Sequence, residues 1–326
     1  MSPDLPGRLF TAPTRARLTA AAEVDPDLVL RDFTTPPARA ALADAEVLLT
    51  CWGCPPVDEA ALAAAPRLRA IVHAAGTVKG HVTPAVWSRG VTVSTAADAN
   101  AVPVADYTVA MILLVGKRVF ALTRQYRDRR GRVDVRGELA AAGNYGRRIG
   151  IVGASRVGRR VIEALRPYDL EVVVSDPFLD EPGATKLGVQ RLDLDELLAT
   201  SDVVSLHAPA VPATRHLMDR RRLGLMRDGA TLINTARGWL VDHDALIEEL
   251  TAGRLDAVID TTLPEVPPPD SPLYTLPNVI LTPHVAGAQG LEIRRLGESA
   301  VGEVQRYAAG EPFAFPVVAA ELDAMA

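Results

Sequence analysis

Short apolar runs alternate along this chain with stretches whose apolar residues recur at helical spacing. Before residue 100 the runs Val47–Leu49, Leu68–Val72 and Val91–Ser94 predict strands, and the alanine-rich segments Pro37–Asp44 and Val57–Ala65 predict helices between them. Strands that take turns with helices imply mostly parallel sheets covered on both faces. From Asn100 to Arg124, Val104, Thr108, Met111, Ile112 and Val115 share one helical face, which predicts a long connecting helix. A Gly-, Arg- and Ala-rich connection, 129–146, follows it. The alternation then resumes: strands at Ile149–Val152, Glu171–Ser175, Val203–Leu206, Thr231–Ile233, Ala257–Ile259 and Val279–Leu281, with helices at Arg159–Arg166, Leu194–Thr200, Arg220–Met226 and Asp242–Thr251. Leu291–Ala308 is a last amphipathic helix, stopped by Glu311-Pro312. No repeat of fixed period is present.

One strand-to-helix junction carries chemistry. Ile149-Gly150-Ile151-Val152 runs into Gly153-Ala154-Ser155-Arg156-Val157-Gly158, a helix follows, and the next strand ends on Asp176. Gly153 suits a tight turn, Gly158 permits close packing of helix on strand, and the N–H groups of a helix start attract a pyrophosphate. An acid at the end of the second strand can accept from both ribose hydroxyls and repel a 2′-phosphate, so NAD is expected over NADP. Ser155 stands where the G-x-G-x-x-G pattern has its middle glycine. Its Cβ could push the pyrophosphate outward, and its hydroxyl could donate to a phosphate oxygen.

Three ionisable residues follow consecutive strands of the second half: Arg237 after Leu232-Ile233-Asn234, Glu265 shortly after Asp260, and His284 after Thr282-Pro283. Parallel strands deliver all three to the sheet edge that also holds the Gly153 turn. Their types suit hydride transfer at a carbon bearing oxygen. Arginine offers a planar fork for a carboxylate, histidine moves a proton near neutral pH, and glutamate fixes the histidine tautomer and stabilises the imidazolium. In the first half, His73-Ala74-Ala75-Gly76-Thr77-Val78-Lys79-Gly80 is a small-residue loop after a strand, where the N–H groups near Gly76 and Thr77 can hold a carboxylate.

Composition narrows the class. With 48% hydrophobic and 23% charged residues the chain is globular rather than disordered. Its net charge is −5, its lysines are Lys79, Lys117 and Lys186, and its arginines are scattered among 40 acids, which argues against a nucleic-acid surface. The densest arginine cluster, Arg124 to Arg136, reads as a solvated helix end and loop. No apolar run approaches the ~20 residues of a membrane span, and no targeting signal opens the chain, so a cytoplasmic protein without a membrane partner is expected. Cys51 and Cys54 form a C-x-x-C after a strand, but the Pro55-Pro56 that follows and the lack of any thioredoxin-like unit favour two idle loop thiols.

Taken together, Asn234-Thr235-Ala236-Arg237-Gly238, Asp260 to Glu265 and Thr282-Pro283-His284-Val285-Ala286-Gly287, after a glycine turn and Asp176, resemble the NAD-dependent D-isomer-specific 2-hydroxyacid dehydrogenase family. The resemblance is strong from Arg148 to Gly287 and weaker before it. It implies an α/β protein of two doubly wound parallel-sheet domains: a flavodoxin-like substrate domain from 1–99 with 290–326, and a Rossmann NAD-binding domain from 100–289. It implies Arg237, Glu265 and His284 as the catalytic residues, and Gly76 and Thr77, with Arg237, as substrate-binding residues. Gly153, Ser155, Arg156, Val157 and Gly158 match the pyrophosphate turn, and Asp176 the ribose acid. His207 and Thr214 match the adenosine side. Thr235, Ala236 and Asp260 match the nicotinamide surroundings, where an Asp can accept from the carboxamide. The cofactor implied is NAD, with no metal; the substrate is a small 2-keto or 2-hydroxy acid of D configuration; the assembly is a homodimer formed through the helix after Asn100 and the segment before Arg147. The other function weighed is an NAD(H)-sensing, corepressor-like binding protein. Asp106-Tyr107 depart from the family's frequent Glu-His, Pro264 and Val266 from its common Glu-Glu-Pro ending, and the first-domain loop lacks the usual Asp-Asn pair.

Overall fold

The computed structural model describes residues 1–25, 27–133 and 142–324. Part of the connection at 129–146, of the arginine cluster and of the expected dimer segment therefore lies outside the described residues. The chain divides into two compact units, one of Met1–Ala101 with Ala288–Met325, the other of Val102–Gly287.

The first unit holds three parallel strands, β1 (Val47–Thr50), β2 (Ala70–His73) and β3 (Thr92–Thr95). Successive side chains on a strand point to opposite faces. Val72 accordingly packs with Leu9, Leu18, Leu296 and Val301 from helices Leu5–Leu9, Ala12–Ala21 and Ile293–Ala308, while Ile71 and Val93 pack with Leu42, Leu62 and Val86 on the other side. Both faces of the sheet are thus covered by helices, as the alternating pattern requires. Among the described residues the three strands lie side by side in sequence order, and the residues before β1 form helices. After the last helix the chain returns beside β3: Val317 N donates to Val93 O and Thr95 N to Phe315 O, each bond about 3 Å. Glu303, buried in that helix, holds the return with bonds from Ala314 N (3.1 Å) and Phe315 N (3.2 Å).

The second unit is wider. Its strands are β4 (Arg148–Val152), β5 (Glu171–Ser175), β6 (Gln190–Arg191), β7 (Val203–Leu206), β8 (Thr231–Asn234), β9 (Asp256–Ile259) and β10 (Val279–Leu281). They form one parallel sheet in the order β10-β9-β8-β7-β4-β5-β6. Strand order reverses between β4 and β7, which makes the carboxyl edge there the natural ligand crevice of an open α/β sheet. The edge strand β6 was not expected, because Gln190 and Arg191 are both exposed and show no apolar pattern.

The long connecting helix is two helices, Ala97–Gly116 and Val119–Arg129. At the break Asn144 Nδ2 donates to Leu113 O (3.1 Å), an approach that a side chain at Gly116 would block, and Arg118 turns the chain with φ 54°. By length and composition Ala97–Gly116 is apolar enough to cross a membrane, contrary to the sequence expectation, but Ala105 and Ile112 are buried in the core of the second unit. Cys51 and Cys54 are free thiols; burial pushes Cys51 up to about 12 and Cys54 up to about 11.

Candidate active site

Three loops at the carboxyl ends of β8, β9 and β10 form the site, each shaped by its own side chains. After β8, Asn234 Oδ1 accepts from Ala236 N (3.1 Å) and its Nδ2 donates to Arg237 O (2.9 Å), closing a tight turn that presents Arg237. Arg237 is half-buried, and one guanidinium N–H is given to Ala236 O at 2.6 Å. Burial lowers its pKa, with the charge of Glu265 opposing; the guanidinium remains a cation with donors to spare. A Cβ on Gly238 would stand 2.1 Å from the carbonyl carbon of Thr262, so only glycine lets the β8 loop lie against the β9 loop.

After β9, Thr262 Oγ1 reaches the carbonyls of Pro264 (2.8 Å) and Glu265 (2.9 Å), curling the loop back so that Glu265 is presented. His284 Nδ1 lies 2.5 Å from Glu265 Oε1. A carboxylate only accepts, so Nδ1 carries the proton and Nε2 is the ring atom left for proton exchange. The imidazole is 43% exposed and the Glu265 side chain 62%, so this pair is open to solvent rather than buried. The fold brings these two residues together as expected, and Glu265 lies close enough to Arg237 to act on its charge.

Asp260 has a task that the resemblance did not imply. It is 2% exposed, and its carboxylate is occupied by the β10 loop: Oδ1 accepts from Thr282 Oγ1 (2.6 Å) and Val285 N (2.8 Å), Oδ2 from Ala286 N (2.9 Å). The backbone N–H of His284 also donates to Asp260 O at 2.9 Å. Thr235 is likewise buried and shares a hydrogen bond of 2.9 Å with Thr108 Oγ1. Neighbouring Ala236 packs against the core. Sequence reasoning missed Thr262 and the Thr108–Thr235 pair; a threonine directly after Asp260-Thr261 was the available signal for the first.

The glycine turn after β4 is built as its pattern predicts. Gly153 has φ +100°, and a Cβ there would meet Ala208 N at 2.7 Å. A Cβ on Gly158 would meet Gly153 O at 2.1 Å, which ties helix Arg156–Leu165 directly to the strand. Ser155 is the N-cap of that helix: its Oγ accepts from Gly158 N (3.3 Å), which leaves the hydroxyl proton available to a phosphate oxygen. Arg156 is exposed, and Val157 packs against the core. Asp176 Oδ2 accepts from Ala154 N (2.6 Å) and Oδ1 from Phe178 N (2.7 Å), so each oxygen keeps a lone pair for a ribose hydroxyl. His207 is buried against the turn, bonded through Nε2 to Ser205 Oγ (2.9 Å) and pushed down to about 3 by desolvation. That makes it a neutral wall of the crevice. Thr214 bonds Pro209 O (2.6 Å) and accepts from Val211 N (3.0 Å), fixing the loop beyond it. A capped helix start, an acid with free lone pairs and a neutral wall fit an adenosine diphosphate moiety such as that of NAD.

In the first unit the loop after β2 is held by its carbonyls. Ala74 O accepts from Cys51 Sγ, and Ala75 O and Gly76 O accept from Thr95 Oγ1 at 2.9 and 2.6 Å. Among the described residues the N–H groups of Gly76 and Thr77 are not spent on backbone carbonyls.

Residues 109–286 match the model of the D-isomer specific 2-hydroxyacid dehydrogenase NAD binding domain. The chain belongs to that family. It is 31% identical over 258 residues to a glyoxylate reductase of Korarchaeum cryptofilum, covering 78% of each chain. It is also 31% identical over 272 residues to D-3-phosphoglycerate dehydrogenase of Mycobacterium bovis, covering 83% of this chain and 51% of that protein. The chain thus spans about half the length of the phosphoglycerate dehydrogenases it matches. Among solved structures, a protein of Thermus thermophilus superposes with a TM-score of 0.77 at 32% identity, over 95% of this chain and 98% of that one. As a 2-hydroxyacid dehydrogenase family member the chain carries the NAD-binding domain.

Proposed function

We propose that this chain is an NAD-dependent dehydrogenase that interconverts a small 2-keto acid and the corresponding D-2-hydroxy acid. The observation that carries the reading is the 2.5 Å contact between His284 Nδ1 and Glu265 Oε1, in the loops after β10 and β9, the two strands that follow β8 and its Arg237 across the sheet. When bound, NADH supplies the hydride that the substrate carbon receives. The residues of the chain manage charge and protons. Arg237 offers its fork to the substrate carboxylate and polarises the carbonyl oxygen. His284 Nε2 gives that oxygen a proton in reduction and takes it back in oxidation. Glu265 holds the Nδ1 proton and stabilises the imidazolium while Nε2 is protonated.

Gly153, Ser155, Arg156, Val157 and Gly158 bind the pyrophosphate in this reading, Asp176 the ribose, His207 and Thr214 the adenosine side, and Thr235, Ala236 and Asp260 border the nicotinamide. The N–H groups of Gly76 and Thr77 suit a carboxylate, in the manner of a backbone nest. Glyoxylate is the smallest acid to try, by analogy with the Korarchaeum relative. We further propose a cytoplasmic homodimer, which sedimentation of the pure protein tests. The sensor reading gains no support from the relatives.

The test is loss of NADH absorbance against a panel of 2-keto acids, with His284→Ala beside the parent. Turnover of one acid that falls by about a thousandfold or more in the variant, with NADH binding retained, is the expected result. A variant as active as the parent would remove His284 from the mechanism.

A further inference from the structure

The turn that carries His284 is held by a chain of side chains that reaches back to the core helix Ala97–Gly116. His284 has φ +53°, a left-handed conformation sparsely populated by residues other than glycine, and such a conformation persists where its surroundings over-determine it. Here His284 N donates to Asp260 O (2.9 Å) and Thr282 O (3.0 Å), and the next two backbone N–H groups, of Val285 and Ala286, donate to the Asp260 carboxylate. The remaining bond to that carboxylate comes from Thr282 Oγ1, at 2.6 Å. Thr282 Oγ1 in turn lies 2.9 Å from Tyr107 Oη. A hydroxyl has one proton, and that of Thr282 is spent on Asp260, so the phenol is the donor in the second bond. The direction of the whole chain is fixed: Tyr107 to Thr282 to Asp260. Tyr107 belongs to the core helix Ala97–Gly116, whereas Thr282 and Asp260 stand at strand ends. Its half-buried phenol is pushed up by desolvation and stays a neutral donor over the working pH range.

We propose that Tyr107 is a positioning residue for the proton-transferring histidine: its hydroxyl orients Thr282, Thr282 orients the Asp260 carboxylate, and that carboxylate fixes the left-handed turn from which His284 meets Glu265. The inference rests on the hydride-transfer reading for its effect on turnover, but not for its effect on the imidazole. It also gives the departure at Asp106-Tyr107 a physical meaning, since tyrosine supplies a hydroxyl donor at this point.

Tyr107→Phe removes one hydroxyl and keeps the ring. The expected result is a fall in kcat of about tenfold with the KM for NADH unchanged, the loss attributable to one hydrogen bond. In the free protein, the 15N shifts of the His284 ring, assigned by difference from His284→Gln, should move from those of a single Nδ1–H tautomer toward an average of both. Thr282→Val should behave like Tyr107→Phe, Thr282→Ser should restore most of what Thr282→Val loses, and the double variant Tyr107→Phe/Thr282→Val should be no worse than Thr282→Val. A parental ring signature in Tyr107→Phe overturns the proposal whether or not kcat falls, and so does strict additivity in the double variant. Should the parent reduce no 2-keto acid, the hydride-transfer reading fails separately, while the ring signature still decides the positioning role.

Discussion

Asp260 shows how much of a residue's role is set by what it touches. The family resemblance implies an acceptor for a nicotinamide amide, yet three protein donors already meet its carboxylate and almost none of it reaches solvent. Replacing it with asparagine would turn one acceptor into a donor facing a backbone N–H or the Thr282 hydroxyl. Asp260→Asn should therefore destabilise the fold by about 2–4 kcal/mol and release the His284 turn. Chemical denaturation together with turnover checks this, and a variant of parental stability would mean that the carboxylate does not anchor the turn. Arg237, Glu265 and His284 were legible in the sequence because their side chains announce their chemistry and parallel strands deliver them to one edge. Thr262, Thr282 and Tyr107 were not legible as partners. A hydroxyl in a sequence gives no hint of which carbonyl or carboxylate it will meet.

At the scale of elements, the strands were legible wherever burial on both faces demanded a continuous apolar run, as at Ile149–Val152 and Ala257–Ile259. What escaped was decided by contacts distant in sequence. The helix after Asn100 breaks at Arg118, whose φ is 54°, beside the bond from Asn144 to Leu113 O, and the apolar periodicity on either side does not register that event. Strand β6 escaped because two exposed residues make no pattern. The glycine turn is the opposite case, since both of its glycines are required by backbone packing. Gly153→Ala would bring a Cβ within 2.7 Å of Ala208 N in a backbone region hostile to side chains. We expect it to destabilise the second unit by about 2 kcal/mol or more and to weaken NADH binding, read by thermal shift with and without NADH. A variant that keeps both would mean the turn can shift away from β7.

For the molecule as a whole, the reversal of strand order in the second unit was implied by the resemblance, and the helix-covered parallel sheet of the first by the alternation of apolar runs. Charge adds a property of the entire fold. His73 is held at about 3, His81 at about 4 and His207 at about 3, each chiefly by desolvation. The His73 and His81 rings also lie with centroids 4.3 Å apart, tilted by 38°, so a charge on one opposes a charge on the other. All three are lowered in the folded chain, so only the unfolded chain takes up their protons just below the ordinary histidine value. Stability is complete above about pH 6.5 and drains as pH falls toward 3–4, by up to about 1.4 kcal/mol per pH unit for each histidine. Urea midpoints at pH 7 and pH 5 should differ accordingly, and equal midpoints would show that these rings reach solvent in the folded state.

The two cysteines have a practical consequence. With thiols held up to about 11 and about 12, neither Cys51 nor Cys54 offers much thiolate at neutral pH, and maleimide attack on them is slower by roughly two powers of ten or more than on an open thiol. The native chain is therefore a silent background for site-specific labelling. Phe178, two residues beyond Asp176 and 91% exposed, is the position at which a single introduced cysteine could carry a fluorophore to the edge of the proposed ribose site.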